Sequence, residues 1–276
     1  MGKSSIEEKF LREYSTVESI KKYKKATAGY GISYLLEHAY GEIYLKAIKE
    51  VLGPLGPRSG LRLLEFGCGA GMNLIHLVSL LKRNGFGIEV AWGSDFSPSL
   101  IEEAKSEAIK YLSAEDQTKV AFCVTRNEFL IDDLCGSKNC SKSAIENSFH
   151  FIIGVNTLRY CHRLQKANEC ARDIYKLLKP GGICVVIDMN QKFPMFRSGL
   201  RDRLTKCSEE YYLPSLEEYA KPFSTNGFQI LRKENFCWIP HSAGPTMCAL
   251  MSFMAPLLNS VARKYAMRSL VIAKKP

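Results

Sequence analysis

The residues with the clearest capacity for chemistry lie in Leu63-Leu64-Glu65-Phe66-Gly67-Cys68-Gly69-Ala70-Gly71. An apolar run leads into an acid, then into glycines at alternate positions, then into an apolar, helix-like run from Met72 to Leu81. Alternate glycines let the chain reverse tightly and bring its backbone against a ligand with no Cβ in the way. Open α/β sheets bind ligands at such a turn, beyond the carboxyl end of a parallel strand. The spacing therefore predicts a nucleotide-like cofactor at Glu65, Gly67, Gly69 and Gly71. Two familiar loops do not fit. The dinucleotide fingerprint G-x-G-x-x-G places its third position on Met72 or Leu74, and a P-loop needs a lysine that Gly71-Met72-Asn73 lacks.

A second acid follows at the right distance. Val90-Ala91-Trp92-Gly93-Ser94-Asp95 reads as the next strand, and Phe96-Ser97-Pro98-Ser99 as the start of a helix. Ser97 or Ser99 can cap the free N–H groups, and Pro98 is tolerated at a helix start. Glu102 and Glu103 suit the positive end of that helix. An acid closing the second strand is placed to accept ribose hydroxyls.

Together these stretches resemble the class I S-adenosylmethionine (SAM)-dependent methyltransferases. Glu65-x-Gly67-x-Gly69-x-Gly71 is similar to the family's first motif, and Asp95-Phe96-Ser97 with Ala104-Lys105 is similar to its second. The resemblance implies SAM as cofactor and S-adenosylhomocysteine as product, with Asp95 on the ribose and Phe96 against the adenine. SAM has no phosphate, so no lysine is needed. Its amine and sulfonium are cationic and suit Glu65. A third match, Leu177-Leu178-Lys179-Pro180-Gly181-Gly182 before Ile183–Asp188, resembles the approach to the family's fifth strand. The likeness spans roughly residues 60–190.

These residues need a scaffold. Strands are expected near Leu61–Phe66, Glu89–Ser94, Lys119–Val124, Phe149–Val155, Gly182–Asp188, Phe228–Phe236 and Met267–Lys274. Helices are expected at Met72–Lys82, Ser99–Tyr111 and Gln165–Leu178. Alternation of this kind predicts a doubly wound, seven-stranded, mostly parallel α/β sheet, a Rossmann-like methyltransferase fold. Residues 1–52, rich in Tyr30, Tyr34, Tyr40 and Tyr44, are expected as an N-terminal helical cap over the cofactor domain, residues 53–276. Lid insertions are expected near 190–226 and 238–266; the second carries Met247, Met251 and Met254, which suit either an adaptable lid or core. The polar stretch 135–146 reads as a surface insertion.

The remaining site candidates follow from strand ends. After the third strand the family places a residue against the adenine amino group, and Asn127 is the choice here over Glu128. The fourth strand delivers Asn156, Tyr160 and His162 onto the cofactor face. Asn156 is expected at the cofactor. Tyr160 and His162 are the candidates to position a nucleophile and take its proton; His162 can equally pack locally. His241 and Arg197 are secondary pocket candidates, the arginine as a grip for a substrate carboxylate.

Composition bounds the rest. With 46% hydrophobic and 24% charged residues the chain is ordinary for a globular protein. It has no run of eighteen or more apolar residues, so no membrane span is expected, and no secretory leader is evident, so the cytoplasm is expected. Ten cysteines without a C-x-x-C predict reduced core thiols and no metal site. A net charge of +10 keeps an RNA methyltransferase open. A small-molecule methyltransferase fits the apolar insertions better, with direct displacement onto nitrogen, oxygen, carbon or sulfur. A SAM-binding, non-catalytic partner subunit is a third reading.

Overall fold

The structure, a computed structural model, describes Lys21 and residues 29–52, 60–197 and 212–276. A helical segment comes first: α1 (Tyr30–Tyr34), a π-helical turn (Leu35–Tyr40) and α2 (Gly41–Leu52). Then follow β1 (Leu61–Phe66), α3 (Met72–Arg83), β2 (Ile88–Asp95), α4 (Pro98–Tyr111), α5 (Ala114–Gln117), β3 (Val120–Val124) and a 3-10 turn (Asn127–Phe129). The middle of the chain forms α6 (Leu130–Lys138), α7 (Lys142–Ile145), β4 (Phe149–Val155), α8 (Leu158–Arg163), α9 (Ala167–Leu177) and β5 (Leu178–Met189). It closes with α10 (Pro194–Arg197), α11 (Leu216–Thr225), β6 (Gln229–Phe236), α12 (Pro245–Ala262) and β7 (Arg268–Lys274).

The seven strands form one sheet in the order β3-β2-β1-β4-β5-β7-β6. β1 to β5 pair in parallel, and β7 runs antiparallel to both β5 and β6. The strand order reverses between β1 and β4, which opens a crevice beyond their carboxyl ends. Both faces of the sheet are covered, so the central strands are apolar on both sides. On one face Leu63, Phe151, Ile153, Val185 and Ile187 pack with Tyr44, Ile48, Leu77 and Leu81 from α2 and α3. On the other, Leu64, Phe66, Ile152, Cys184 and Val186 pack with Leu130, Leu134, Ile174, Tyr219 and Phe223 from α6, α9 and α11. Adjacent strand residues reach opposite layers because the side-chain period of a strand is two.

Three expectations need revision. The stretch 135–146, read as a polar surface insertion, is mostly helical, in the last turn of α6 before Asn139 at φ 49° and in α7, and it lies at the surface apart from the buried Ile145. α11 is a core helix rather than a lid; Ser215 and Glu218 form a capping box at its start, and Tyr219, Ala220 and Phe223 are buried beneath it. Residues 198–211 of the same expected insertion, with residues 1–20, 22–28 and 53–59, lie outside the described residues. Finally, Pro245–Tyr265 is one helix long and apolar enough, by length and composition alone, to cross a membrane, and only 6% of its most apolar window is buried. Thr246, Ser252, Asn259 and Ser260 interrupt the apolar run in sequence, but no charge appears before Arg263. Among the described residues nine cysteines are free, six of them buried.

Candidate active site

The crevice beyond β1 and β4 encloses a cavity of about 310 Å³. Its floor comes from the strand ends: Glu65 and Gly67 after β1, Asp95 and Phe96 after β2, Asn127 after β3, and Asn156 and Thr157 after β4. Its roof is the N-terminal helical segment, which contributes Ile32, Leu35, Leu36 and Tyr40. The last three belong to the π-helical turn, where one extra residue per turn shifts the apolar face toward the crevice.

The glycine turn needs its glycines for two distinct reasons. Gly67 has φ 64°, and a Cβ there would stand 2.0 Å from Thr157 Oγ1. Gly71 does not line the cavity; at φ 76° it starts α3, and a Cβ would meet the Phe122 ring at 2.8 Å. It packs helix on sheet while Gly67 and Gly69 face the ligand space.

Both acids are fixed by hydrogen bonds. The Gly69 amide donates to Asp95 Oδ2 at 2.9 Å and the Ser97 amide to Asp95 Oδ1 at 3.0 Å. A carboxylate has about four acceptor positions, so Asp95 keeps capacity for ribose hydroxyls. Asn73 Nδ2 donates to Glu65 Oε1 at 2.9 Å, and Tyr44 Oη donates to Asn73 Oδ1 at 3.0 Å. Burial pushes the Glu65 carboxyl up to about 8 and Asp95 up to about 6, against their hydrogen bonds.

Two buried acceptors in this cavity have no hydrogen-bond partner among the described residues, Glu65 Oε2 and Asn127 Oδ1. Unpaired buried polar atoms are costly and mark where a ligand supplies the missing group. SAM brings a cationic amine that suits Glu65 and an adenine amino donor that suits Asn127. Asn127 is oriented by its own Nδ2, which donates to Thr157 Oγ1 at 2.8 Å. The residues present fit this cofactor.

Beyond the cofactor residues, the wall continues through Arg159, Tyr160, Met189, His241 and Arg268. Arg159 Nη2 donates to Tyr160 Oη at 2.8 Å. Arg268 Nη1 donates to Asn156 Oδ1 at 3.2 Å. Asn156 itself sits at φ 55°, a strained backbone for a non-glycine residue. His241 is held well below the ordinary imidazole range by burial, and further by Arg268 and Arg159. Its ring is therefore neutral near pH 7.

Of the residues singled out in the sequence, Glu65, Gly67, Gly69, Asp95, Phe96, Asn127, Asn156, Tyr160 and His241 share this cavity. His162 does not. It meets the Tyr219 ring edge-on at 5.6 Å, and burial lowers it to about 4. The Arg197 side chain lies outside the described residues. The segment 238–266 supplies His241 to the wall, whereas α12 does not line it. Tyr40 lines the cavity from the expected cap, whereas Arg159 and Arg268 were not among the site candidates; the available signal for the last was a lone charge opening the apolar strand Ser269-Leu270-Val271-Ile272-Ala273.

The strand order and this cavity define a class I methyltransferase site. The profile of a family described as "Methyltransferase domain" matches residues 36–241, most of the chain, and the chain belongs to that family; it is a SAM-dependent methyltransferase. It is 25% identical over 140 residues to the citrinin polyketide synthase of Monascus ruber, covering 50% of this chain and 5% of the synthase. The chain thus spans only a small part of that relative. Its fold is similar to magnesium protoporphyrin IX methyltransferase from Synechocystis PCC 6803 with bound S-adenosylhomocysteine, at TM-score 0.56 and 13% identity over 97% of this chain and 99% of the other. It is also similar to the CMeT domain of the citrinin polyketide synthase, at TM-score 0.50 and 19% identity over 78% and 46% of the two chains.

Proposed function

We propose that this methyltransferase acts on a small molecule held in the same cavity, on the side of Tyr160, Met189 and His241. The observation that carries the reading is the roof. Ile32, Leu35, Leu36 and Tyr40 cover one side of a half-open cavity of about 310 Å³, a volume of small-molecule size. A polynucleotide acceptor needs an open, basic mouth. Away from the cavity lining, several basic side chains are paired with acids, including Lys82 with Asp116, Arg126 with Asp133, Lys119 with Glu115 and Lys233 with Glu217.

Bound SAM supplies an electrophilic methyl group on a sulfonium, transferred by direct displacement to leave S-adenosylhomocysteine. The chain's own residues do the rest. Glu65 would anchor the amine end of the cofactor and Asp95 its ribose, while Asn127 and Phe96 would hold its base. The apolar roof excludes water, and orientation of two reactants in one chamber supplies much of the rate. Where the acceptor atom carries a proton, His241 is the base: it lines the cavity, is neutral near pH 7 and stands on the acceptor side. Tyr160 positions the acceptor beside it.

The test is transfer of a labelled SAM methyl group into host extract separated into metabolite, RNA and protein pools. Label in the metabolite pool is expected. Label in RNA or protein would overturn the reading.

A further inference from the structure

We propose that α12 docks the protein on an anionic lipid bilayer, lying in the membrane surface with its outer apolar face among the lipids. The inference goes beyond the small-molecule reading and does not depend on it. A surface helix ordinarily turns its apolar stripe to the core and its polar residues to water. α12 does the reverse. Met247, Leu250, Phe253, Leu257 and Val261 are 46–82% exposed. At the turn of an α-helix they share a sector about 120° wide.

The polar residues of the helix face inward. Ser252 Oγ and Tyr34 Oη share a hydrogen bond at 2.7 Å, and Trp238 Nε1 donates to Asn259 Oδ1 at 2.9 Å. Cys248, four residues before Ser252, is fully buried on the same side. These contacts fix the rotation of α12, so the fold itself presents the apolar stripe outward. They also hold the helix against the protein. A bilayer-spanning α12 would break both hydrogen bonds and unseat Cys248, so it lies on the membrane rather than across it.

Contiguous exposed apolar faces mark protein or membrane contacts, and charge selects between them here. From Asn235 to Pro276 the sequence has no acid. The exposed Arg263 and Lys264 close the helix, followed by the half-exposed Tyr265, over whose ring Lys264 Nζ lies at 5.0 Å. Glu234 pairs with Arg263 at 3.0 Å but also with Arg232, so this end stays positive. Anionic headgroups meet those cations while the acyl chains receive the stripe. A second copy fits less well, because it would set cations against a face with no acid of its own. The Ser252–Tyr34 bond joins α12 to α1, which leads into the roof of the active-site cavity, so docking sets that cavity beside the lipid.

The experiment is co-sedimentation of the full chain with phosphatidylcholine vesicles, with and without about 30% phosphatidylglycerol. Binding to the anionic vesicles is expected, weakening as salt rises. Phe253→Ser with Leu257→Ser should lower it about tenfold or more, and Lys264→Gln about fivefold, the scale of one cation at an anionic surface. Both variants should keep the wild-type melting temperature and S-adenosylhomocysteine affinity. Absence of wild-type binding to either vesicle would overturn the proposal whatever the variants do. So would unchanged binding in the Phe253 and Leu257 variant, since general basic charge would then be the cause. A wild-type dimer that this variant turns into a monomer, with no vesicle binding, would assign the face to a second copy and overturn it as well.

Discussion

Tyr160 and His162 stand two residues apart on one short helix and face opposite ways. Tyr160 lines the cavity, whereas His162 meets the ring of Tyr219 edge-on at 5.6 Å. Two residues on a helix are about 200° apart. His162→Ala is therefore expected to cost roughly 1–2 kcal/mol of stability by unpacking α8 from α11, with turnover preserved. Thermal melts and single-turnover rates check this; a lost rate at unchanged melting temperature would return His162 to the chemistry.

His241→Ala is expected to behave in the opposite way. Turnover should fall by about 100-fold if the acceptor carries a proton, with S-adenosylhomocysteine affinity little changed. Exogenous imidazole restoring part of the rate is the expected signature of a missing base.

Asp95 ties two loops together while keeping room for a ligand, accepting from the Gly69 and Ser97 amides. Asp95→Ala should weaken S-adenosylhomocysteine binding by about 10- to 100-fold, the scale of lost hydrogen bonds to a charged group. Calorimetry reads this directly, and an unchanged affinity would remove the ribose role.

Glu65 gives a pH signature. Burial raises its carboxyl to about 8, so the unliganded protein carries a proton there at pH 7. The sign follows for stability: a raised folded value favours the unliganded fold below the ordinary carboxylate range, and that contribution is lost as pH rises through about 8. The cofactor's ammonium favours the ionised form. Binding S-adenosylhomocysteine near pH 7 is therefore expected to release close to one proton, seen as a binding enthalpy that changes with the buffer's ionisation enthalpy. Glu65→Gln should abolish the release; a buffer-independent enthalpy in the wild type would contradict it.

Gly67→Ala should destabilise the protein by about 1–3 kcal/mol through left-handed backbone strain alone, with the Thr157 contact adding to it. Urea melts measure the loss. By contrast Phe253 is 82% exposed on α12, and Phe253→Ser should shift stability by no more than about 0.5 kcal/mol.

The fold was legible where sequence carried period and punctuation. β1 and β4 fall at Leu61–Phe66 and Phe149–Val155 as expected, since buried parallel strands read as apolar runs bounded by turns. The cofactor half of the site was legible for the same reason: Glu65, Gly67, Gly69 and Asp95 lie at strand ends whose register the glycines set. On the wall beyond it, Tyr160 and His241 were legible and Arg268 was not. Arg268 comes 112 residues after Asn156, its hydrogen-bond partner, and only the β5–β7 pairing brings them together. Of the two readings open for His162, base or local packing, the structure shows the packing, because α8 carries its ring to Tyr219 and not to the cavity.

The most direct measurement is a crystal structure of the S-adenosylhomocysteine complex. The account predicts the amine at Glu65 Oε2, the ribose hydroxyls at Asp95, the adenine amino group at Asn127 Oδ1, and the sulfur facing the space beside Tyr160 and His241. A ligand seated elsewhere, or in this cavity with its ribose away from Asp95, would contradict it.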